Sequence, residues 1–296
     1  MDWDKLRIFH AVANAGSFTH AGDTLNLSQS AVSRQISALE EDLKTSLFHR
    51  HARGLTLTEQ GELLHRTTQD VTVRIKNAEQ QLVDSGDIPR GPLSITASIG
   101  LGSFWLSPFI GEFNQIYPDI EVNLMLTDIE LDLSRGHADV ALRPGAPVQP
   151  DLIHRRLVSV HYHVYAARSY VERRGAPQSV EAIRDHPIIG FGENVPEPLK
   201  SVNWLLEVGR EGRPPRKPAV TINHVYGVLR AVESGAGIAV LPDYIAANNQ
   251  NLVRVMENVS APTIETYFVY AEPMRNSKRV AVFRDFLLGK IRGWQY

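Results

Sequence analysis

The chain has 296 residues, enough for two or three compact units, with 43% hydrophobic and 22% charged residues and no apolar run able to span a bilayer. It has no cysteine, which excludes disulfides, thiolate zinc sites, iron–sulfur clusters and thiol redox switches. The net charge is −2 and the basic and acidic side chains of residues 1–57 cancel, so any contact with a polyanion must depend on where charges lie rather than on their number.

The polar, acidic opening Met1-Asp2-Trp3-Asp4-Lys5 lacks a secretory signal, and a cytoplasmic protein with no membrane role is the expectation. Leu6, Phe9, Val12 and Ala13 recur at helical spacing and predict a first helix from Trp3 to Asn14. Gly16 stops it, and Ser17 is placed to cap a short second helix over Thr19–Leu25. After the turn at Asn26-Leu27, Ser28 can cap a third helix from Gln29 to Leu43. There Val32, Ile36, Leu39 and Leu43 share one face, while Gln29, Ser30, Ser33 and Arg34 share the other near its N-terminal end. That is the placement major-groove reading needs, since Gln and Arg make paired hydrogen bonds to base edges. Two short strands follow, Leu47–Arg50 and Leu55–Leu57, joined by His51-Ala52-Arg53-Gly54. They form a wing whose Arg50 and Arg53 can reach phosphates or a narrow minor groove. The assigned DNA-binding set is Ser28, Gln29, Ser30, Ser33, Arg34, Arg50 and Arg53.

Three helices with a solvated polar face would by themselves be an unremarkable small domain. The strings Ala15-Gly16-Ser17-Phe18-Thr19, Leu25–Ile36, Leu39-Glu40, Leu47–Arg50 and Leu57-Thr58-Glu59-Gln60-Gly61 resemble the N-terminal domain of the LysR family of transcriptional regulators, in register over about sixty residues. Gly22 departs from the alanine usual in that family, and glycine inside a helix costs on the order of 1 kcal/mol.

Thr58 can cap a long helix from Glu59 to about Val83. Leu64, Val71 and Ala78, with Thr68, Ile75 and Leu82, repeat every seven residues and form a narrow apolar seam suited to pairing two helices. Packing on its own domain is the alternative. Leu64, Val71, Ile75 and Leu82 are taken as the dimerisation residues, and the family resemblance implies an antiparallel pair. Ser85–Pro92 then reads as a hinge.

From residue 91 onward strand-like and helical runs alternate, which predicts an α/β domain. Strands are expected at Leu93–Ala97, Glu121–Leu126, Asp139–Arg143, His161–Ala166, Ile238–Pro242 and Tyr267–Ala271, and helices at Trp105–Tyr117, Tyr226–Glu233 and Val280–Lys290. Ala138–Ala141 and Gly235–Asp243 resemble the periplasmic-binding-protein-like effector domain of LysR regulators. That resemblance implies two lobes, 93–162 with 269–296 and 166–266, crossed by the strands at 161–166 and 267–271. The whole chain then reads as a winged helix-turn-helix domain (1–58), a linker helix and hinge (59–90) and an effector-binding domain (91–296).

Ligands of such folds sit at strand C-terminal ends and helix N-termini. Ser98, Gly100, Gly102 and Ser103 lie in a predicted strand-to-helix loop, Thr127-Asp128 and Arg143 end neighbouring strands, and Asn223 and His224 join them by position from the second lobe, as does 196–201. The effector set is therefore Ser98, Gly100, Gly102, Ser103, Thr127, Arg143, Asn223 and His224, for an anionic or strongly polar ligand. Each of these residues alone has an alternative as a cap or turn, and Arg143 as a structural ion pair.

No Gly-x-Ser-x-Gly, phosphate-binding glycine loop or His-Glu-x-x-His is present, which argues against an enzyme. His161 with His163, and His49 with His51, lack a third ligand nearby, so neither a metal nor another cofactor is expected. The expected partners are double-stranded DNA, a small-molecule effector, a second copy in a homodimer that assembles further as a tetramer, and RNA polymerase. The opening residues, His49–Gly54 and Asn203-Trp204-Leu205 resemble an alphaproteobacterial LysR subgroup linked to envelope and oxidative-stress control. The absence of cysteine prevents thiol sensing from being carried over.

Overall fold

The computed structural model describes residues 2–51, 54–83, 88–192 and 197–296, with positions 50, 54, 76, 77, 79–83 and 197 described in their backbone only. The chain divides into two units, Met1–Gln80 and Gln81–Tyr296.

The first unit contains α1 (Trp3–Ala15), α2 (Phe18–Leu25), α3 (Gln29–Leu43), the hairpin β1 (Phe48–His51) and β2 (Gly54–Leu57), and α4 (Glu59–Val83). The hydroxyls expected to start the helices do so. Ser17 accepts from the His20 N–H at 3.5 Å, Ser28 from Ala31 at 3.2 Å and Thr58 from Gly61 at 3.0 Å. Phe9, Val12, Val32, Ile36, Leu39, Leu47 and Phe48 close a core between α1, α3 and the hairpin, each contributing roughly 1.5–3 kcal/mol by leaving water. Glu40 anchors the hairpin to α3, its Oε1 accepting from the Leu47 N–H at 2.7 Å and the Phe48 N–H at 3.3 Å. Gly22 is a tight-turn residue rather than a weak point. A Cβ there would come within 2.6 Å of the Leu27 carbonyl oxygen, while the Leu27 N–H bonds the Gly22 carbonyl at 2.9 Å.

Two histidines join α1 to α4. Asn14 bridges them, its amide 3.0 Å from His10 Nε2 and 2.9 Å from His65 Nε2, and His10 Nδ1 lies 3.4 Å from the Thr68 hydroxyl. An amide offers one acceptor oxygen and one donor nitrogen, so only one of the facing Nε2 atoms can present a proton to it. Burial lowers both pKa values, and for His10 the charge of His65 adds to this. Histidines depressed in the fold bind fewer protons than in the unfolded chain between the lowered values and the ordinary one near 6.5, so stability is full above that value and falls as pH drops through the folded pKa. Thermal melts from pH 7 to pH 5 are expected to show a loss of stability that His65→Gln reduces. A pH dependence unchanged by that substitution would assign the effect to other groups.

In the second unit β3 (Gly91–Ala97) is followed by α5 (Ile99–Leu101), a π-helical turn over Gly102–Leu106 and α6 (Ser107–Ile116), which run on as one helix. Then come β4 (Ile120–Leu126), β5 (Val140–Pro144), β6 (Leu152–Ala167), α7 (Arg168–Arg174), β7 (Ile189–Phe191), α8 (Glu197–Lys200), α9 (Trp204–Glu207), β8 (Val220–Ile222), α10 (Val225–Glu233), β9 (Ala239–Pro242), α11 (Asp243–Ala246), β10 (Leu252–Val255), β11 (Thr263–Ala271) and α12 (Lys278–Ile291). β3 pairs in parallel with β4 and β5, and β11 pairs antiparallel with β5 and with β6 from Leu152 to His161. From Tyr162 onward β6 changes partners to β9 and β10 in the second lobe. The return crossing lies not at Tyr267–Ala271 but at 256–262, because β11 is bonded to the first half of β6 along its whole length. Met256 there adopts φ 60°, a left-handed backbone that turns the chain between β10 and β11.

Candidate DNA-reading helix and effector cavity

The N-terminal end of α3 carries Gln29, Ser30 and Arg34 exposed and Ser33 half-buried, opposite the buried Val32, Ile36 and Leu39. Ser28 is also exposed, but its hydroxyl is engaged with the Ala31 N–H and lies 3.1 Å from that of Ser30, so it orients the helix start. Arg34 folds back along the helix, its Nε donating to the Ser30 carbonyl at 3.3 Å. Arg50 lies on β1, where its backbone alone is described, and Arg53 lies outside the described residues.

On α4 the predicted apolar seam is divided. Leu64 packs on the core of the first unit and Thr68 is buried beside His10, whereas Ile75 is 41% exposed and Val71 half-buried. Leu64 is therefore engaged by its own domain, while Val71 is half-buried and Ile75 and Ala78 are exposed. The side chain of Leu82 is not among those described.

In the second unit a cavity of about 410 Å³ opens where β3, β4 and β5 end, roofed by Pro198 and Leu199 of the second lobe. Ser98, Thr127 and Arg143 line it together with Asp128, Glu130 and Gln149. A smaller cavity of about 30 Å³ shares Ser98, Asp128 and Leu199 with it and reaches Tyr162, Val225 and Tyr244. Gly100 touches this smaller space as a packing residue, since a Cβ would sit 2.8 Å from both Tyr244 Oη and Val225 Cγ1. Gly102 is buried against β4, where a Cβ would meet Leu126 Cδ2 at 2.1 Å. Both belong to the helix rather than to a ligand loop. Ser103 is exposed and lines neither space. His224 caps α10, its Nδ1 accepting from the Gly227 N–H at 3.1 Å, and Asn223 beside it is exposed; neither reaches the cavities.

The N-terminus of the helix at Ile99, expected to hold a ligand anion, is already occupied by this chain's own carboxylate. Asp128 Oδ1 accepts from the Ile99 N–H at 3.0 Å, and Ser98 makes no side-chain capping bond. Burial raises the Asp128 pKa, against the pull of the Ile99 N–H and the His224 ring. Burial, with the charge of Asp128 adding to it, also raises the Tyr162 phenol well above its ordinary range, so it stays a proton donor. Arg143 pairs with Glu130 through Nη1, the structural ion pair that was its alternative, and its side chain is 12% exposed. Asp128 Oδ2 and Arg143 Nη2 are buried with no hydrogen-bond partner among the described residues. Unsatisfied polar atoms of this kind cost about 1–3 kcal/mol each. Asp128, placed at the strand end by the sequence but outside the effector set drawn from it, lines the cavity beside Thr127, whose hydroxyl accepts from the Ile129 N–H at 3.1 Å.

Among the described residues no cluster of three or more His, Asp or Glu side chains is arranged to hold a metal, and no helix is long and apolar enough to cross a membrane.

Residues 3–62 match the bacterial regulatory helix-turn-helix proteins of the lysR family, and residues 86–292 match the LysR substrate binding domain. An HTH-type transcriptional regulator of Xanthomonas campestris pv. campestris (strain 8004) is 32% identical over 294 residues, covering 98% of this chain and 86% of the relative. CrgA of Neisseria meningitidis serogroup B (strain ATCC BAA-335 / MC58) is 30% identical over 97% of this chain and 96% of its own. The solved structure of CrgA, described as a LysR-type transcriptional regulator from Neisseria meningitidis, superposes with a TM-score of 0.62 at 29% identity, over 98% of this chain and 99% of that one. The full-length structure of CbnR with its target DNA shares the fold, with a TM-score of 0.70 at 18% identity over 98% and 100% of the two chains. These likenesses carry the family and not the alphaproteobacterial subgroup. With a capped helix exposing a polar end in the helix-turn-helix domain and a ligand-sized cavity in the LysR substrate-binding domain, the chain belongs to the LysR family of DNA-binding transcriptional regulators, proteins that control transcription rather than catalyse a reaction.

Proposed function

We propose that the regulator reads a partly palindromic promoter site with Gln29, Ser33 and Arg34, and that a small polar effector in the cavity of about 410 Å³ changes how it sits on that site. The cytoplasm is the compartment where such promoters are read. Chains pair through the C-terminal half of α4 and assemble further as a tetramer, and RNA polymerase is the partner of a regulator that acts at promoters. The observation that carries the effector assignment is the pair of desolvated atoms, Asp128 Oδ2 and Arg143 Nη2, on residues lining one cavity. A ligand with a hydrogen-bond donor for the first and an acceptor for the second relieves both, which favours a bifunctional polar molecule over a simple anion. Binding alters regulation by favouring one lobe or subunit arrangement over another.

Mapping bound DNA across the genome identifies the site and the neighbouring genes, and from those the effector. On that site Gln29→Ala is expected to lose about 1–3 kcal/mol of binding with little change on random DNA, since base contacts carry specificity. Equal losses on both would remove Gln29 from the reading face. Ser98→Trp puts a bulky side chain on the cavity lining and is expected to abolish the effector response in a reporter while leaving basal operator binding intact. A full response in that variant would place the sensor elsewhere.

A further inference from the structure

The second lobe carries another depression, of about 340 Å³, which shares no lining residue with either cavity above. Arg184, His186, Arg210, Arg216 and Lys217 line it with apolar side chains, and no carboxylate is among its lining residues. Arg216 is fixed in place, its Nη1 donating to the Val208 carbonyl at 2.6 Å and the Leu205 carbonyl at 3.3 Å, and Nη2 to the Val180 carbonyl at 3.5 Å. Arg210 is held at Nε by the Pro214 carbonyl at 2.9 Å. Burial and the neighbouring Arg210 charge both lower the Arg216 pKa, so the fold holds like charges together in a concave place. Arg184 meets Asp185 at 3.7 Å, but those side chains are 80% and 70% exposed, where such a pair is screened by water.

His186 adds a neutral donor. Its Nδ1 lies 2.7 Å from the Tyr170 hydroxyl, and burial pushes the imidazole pKa down and the phenol pKa up. The phenol keeps its proton, and where it donates that proton to Nδ1 the histidine carries its own on Nε2. The lining thus offers guanidinium, ammonium and imidazole N–H donors from side chains that supply no anionic acceptor.

We propose that this depression binds a small molecule through a terminal phosphate. A single carboxylate would balance one of the lining cations, whereas a phosphate monoester carries about two charges at neutral pH and acceptor oxygens enough for a guanidinium fork, an ammonium and an imidazole together. The volume lies within the range of small-molecule pockets and exceeds what a bare phosphate fills, which leaves room for an attached organic group. The proposal does not rest on the effector cavity.

The test is calorimetric titration of the full-length protein with inorganic phosphate, pyrophosphate, a sugar phosphate and citrate. Saturable binding of the phosphate compounds, weaker for citrate, is expected. The double variant Arg210→Gln, Lys217→Gln should weaken it by on the order of tenfold or more, given the strength of charge-assisted hydrogen bonds. Arg216 is left intact because it holds the loop carbonyls. Lys217→Arg is expected to retain binding, and an unchanged melting temperature shows that the double variant folds. Tighter binding of the sugar phosphate than of inorganic phosphate identifies an organic ester as the occupant, and the reverse identifies the free anion. Ser98→Trp is expected to leave phosphate binding unchanged, which separates this site from the effector cavity. Absence of binding, equal affinity in the double variant, or a double variant that loses operator affinity without any small-phosphate binding would each overturn the assignment, the last by pointing to DNA phosphates.

Discussion

In sedimentation at micromolar concentration, the protein with Val71 and Ile75 both replaced by glutamate is expected to run as a monomer. α4 is a 25-residue helix, about 37 Å long at ~1.5 Å per residue, and in the proposed pairing one apolar stripe along it serves two partners. Its first part, at Leu64 and Thr68, is covered by the helix's own domain, while Ile75 keeps 41% of its surface exposed. In that proposal a second copy of the stripe is the complementary surface, and glutamates there would set like charges against each other inside a desolvated seam. Operator affinity should fall with dimerisation, since two half-sites are no longer engaged together. Unlike a change at Leu64, the substitutions lie beyond the first unit's core, so its melting temperature should hold. A dimer of undiminished stability would place the interface on another element.

Replacing Gly61 by alanine is expected to destabilise the first unit more than any change on its exposed face. A Cβ at this position would lie 2.1 Å from the Leu47 carbonyl oxygen and 3.1 Å from Leu57 Cδ2. Leu47 has no freedom to retreat. Its carbonyl accepts from the Thr58 N–H at 2.9 Å and its N–H donates to Glu40 Oε1 at 2.7 Å. Relief must come from moving α4, which breaks the Thr58 cap on the Gly61 N–H. Overpacking of this kind costs about 1–3 kcal/mol and a lost cap ~1 kcal/mol more. In a domain of this size each 1 kcal/mol lowers the melting temperature by about 4–8 °C, a shift calorimetry resolves easily. Operator binding should weaken as well, because Glu40 links Leu47 to α3. An unshifted melt would mean that the backbone at Leu47 yields after all.

The helices of the first unit were legible because their signals are local. Ser17, Ser28 and Thr58 sit at the starts of apolar periodic runs, and the capping bonds form where those hydroxyls stand. The start of the helix after β3 is hidden from the sequence for a similarly local reason. Gly100 and Gly102 have low helix propensity and interrupt the apolar pattern, so Ile99–Phe104 looked like a loop. Contacts from distant strands and helices impose those glycines, with Leu126, Val225 and Tyr244 each within reach of a side chain placed there. The second lobe crossing is not legible in the sequence, because Tyr267–Ala271 carries the same alternation as His161–Ala166 and alternation says nothing about which strand is the partner.

By itself the sequence determined the capped helices, the polar face of α3, the strand-and-helix alternation of the second unit and the family, all of which depend on residue types at short, regular spacing. Tertiary structure decided which half of the α4 stripe is already covered, and which of the polar residues at the strand ends share a cavity. It also decided that Asp128 rather than a ligand occupies the helix N-terminus at Ile99, and that Arg143 enters its cavity already paired with Glu130. These are contacts between residues far apart in the chain. Whether such a pair forms depends on sheet register and close packing, which bring particular atoms within about 3 Å, a distance no local pattern encodes.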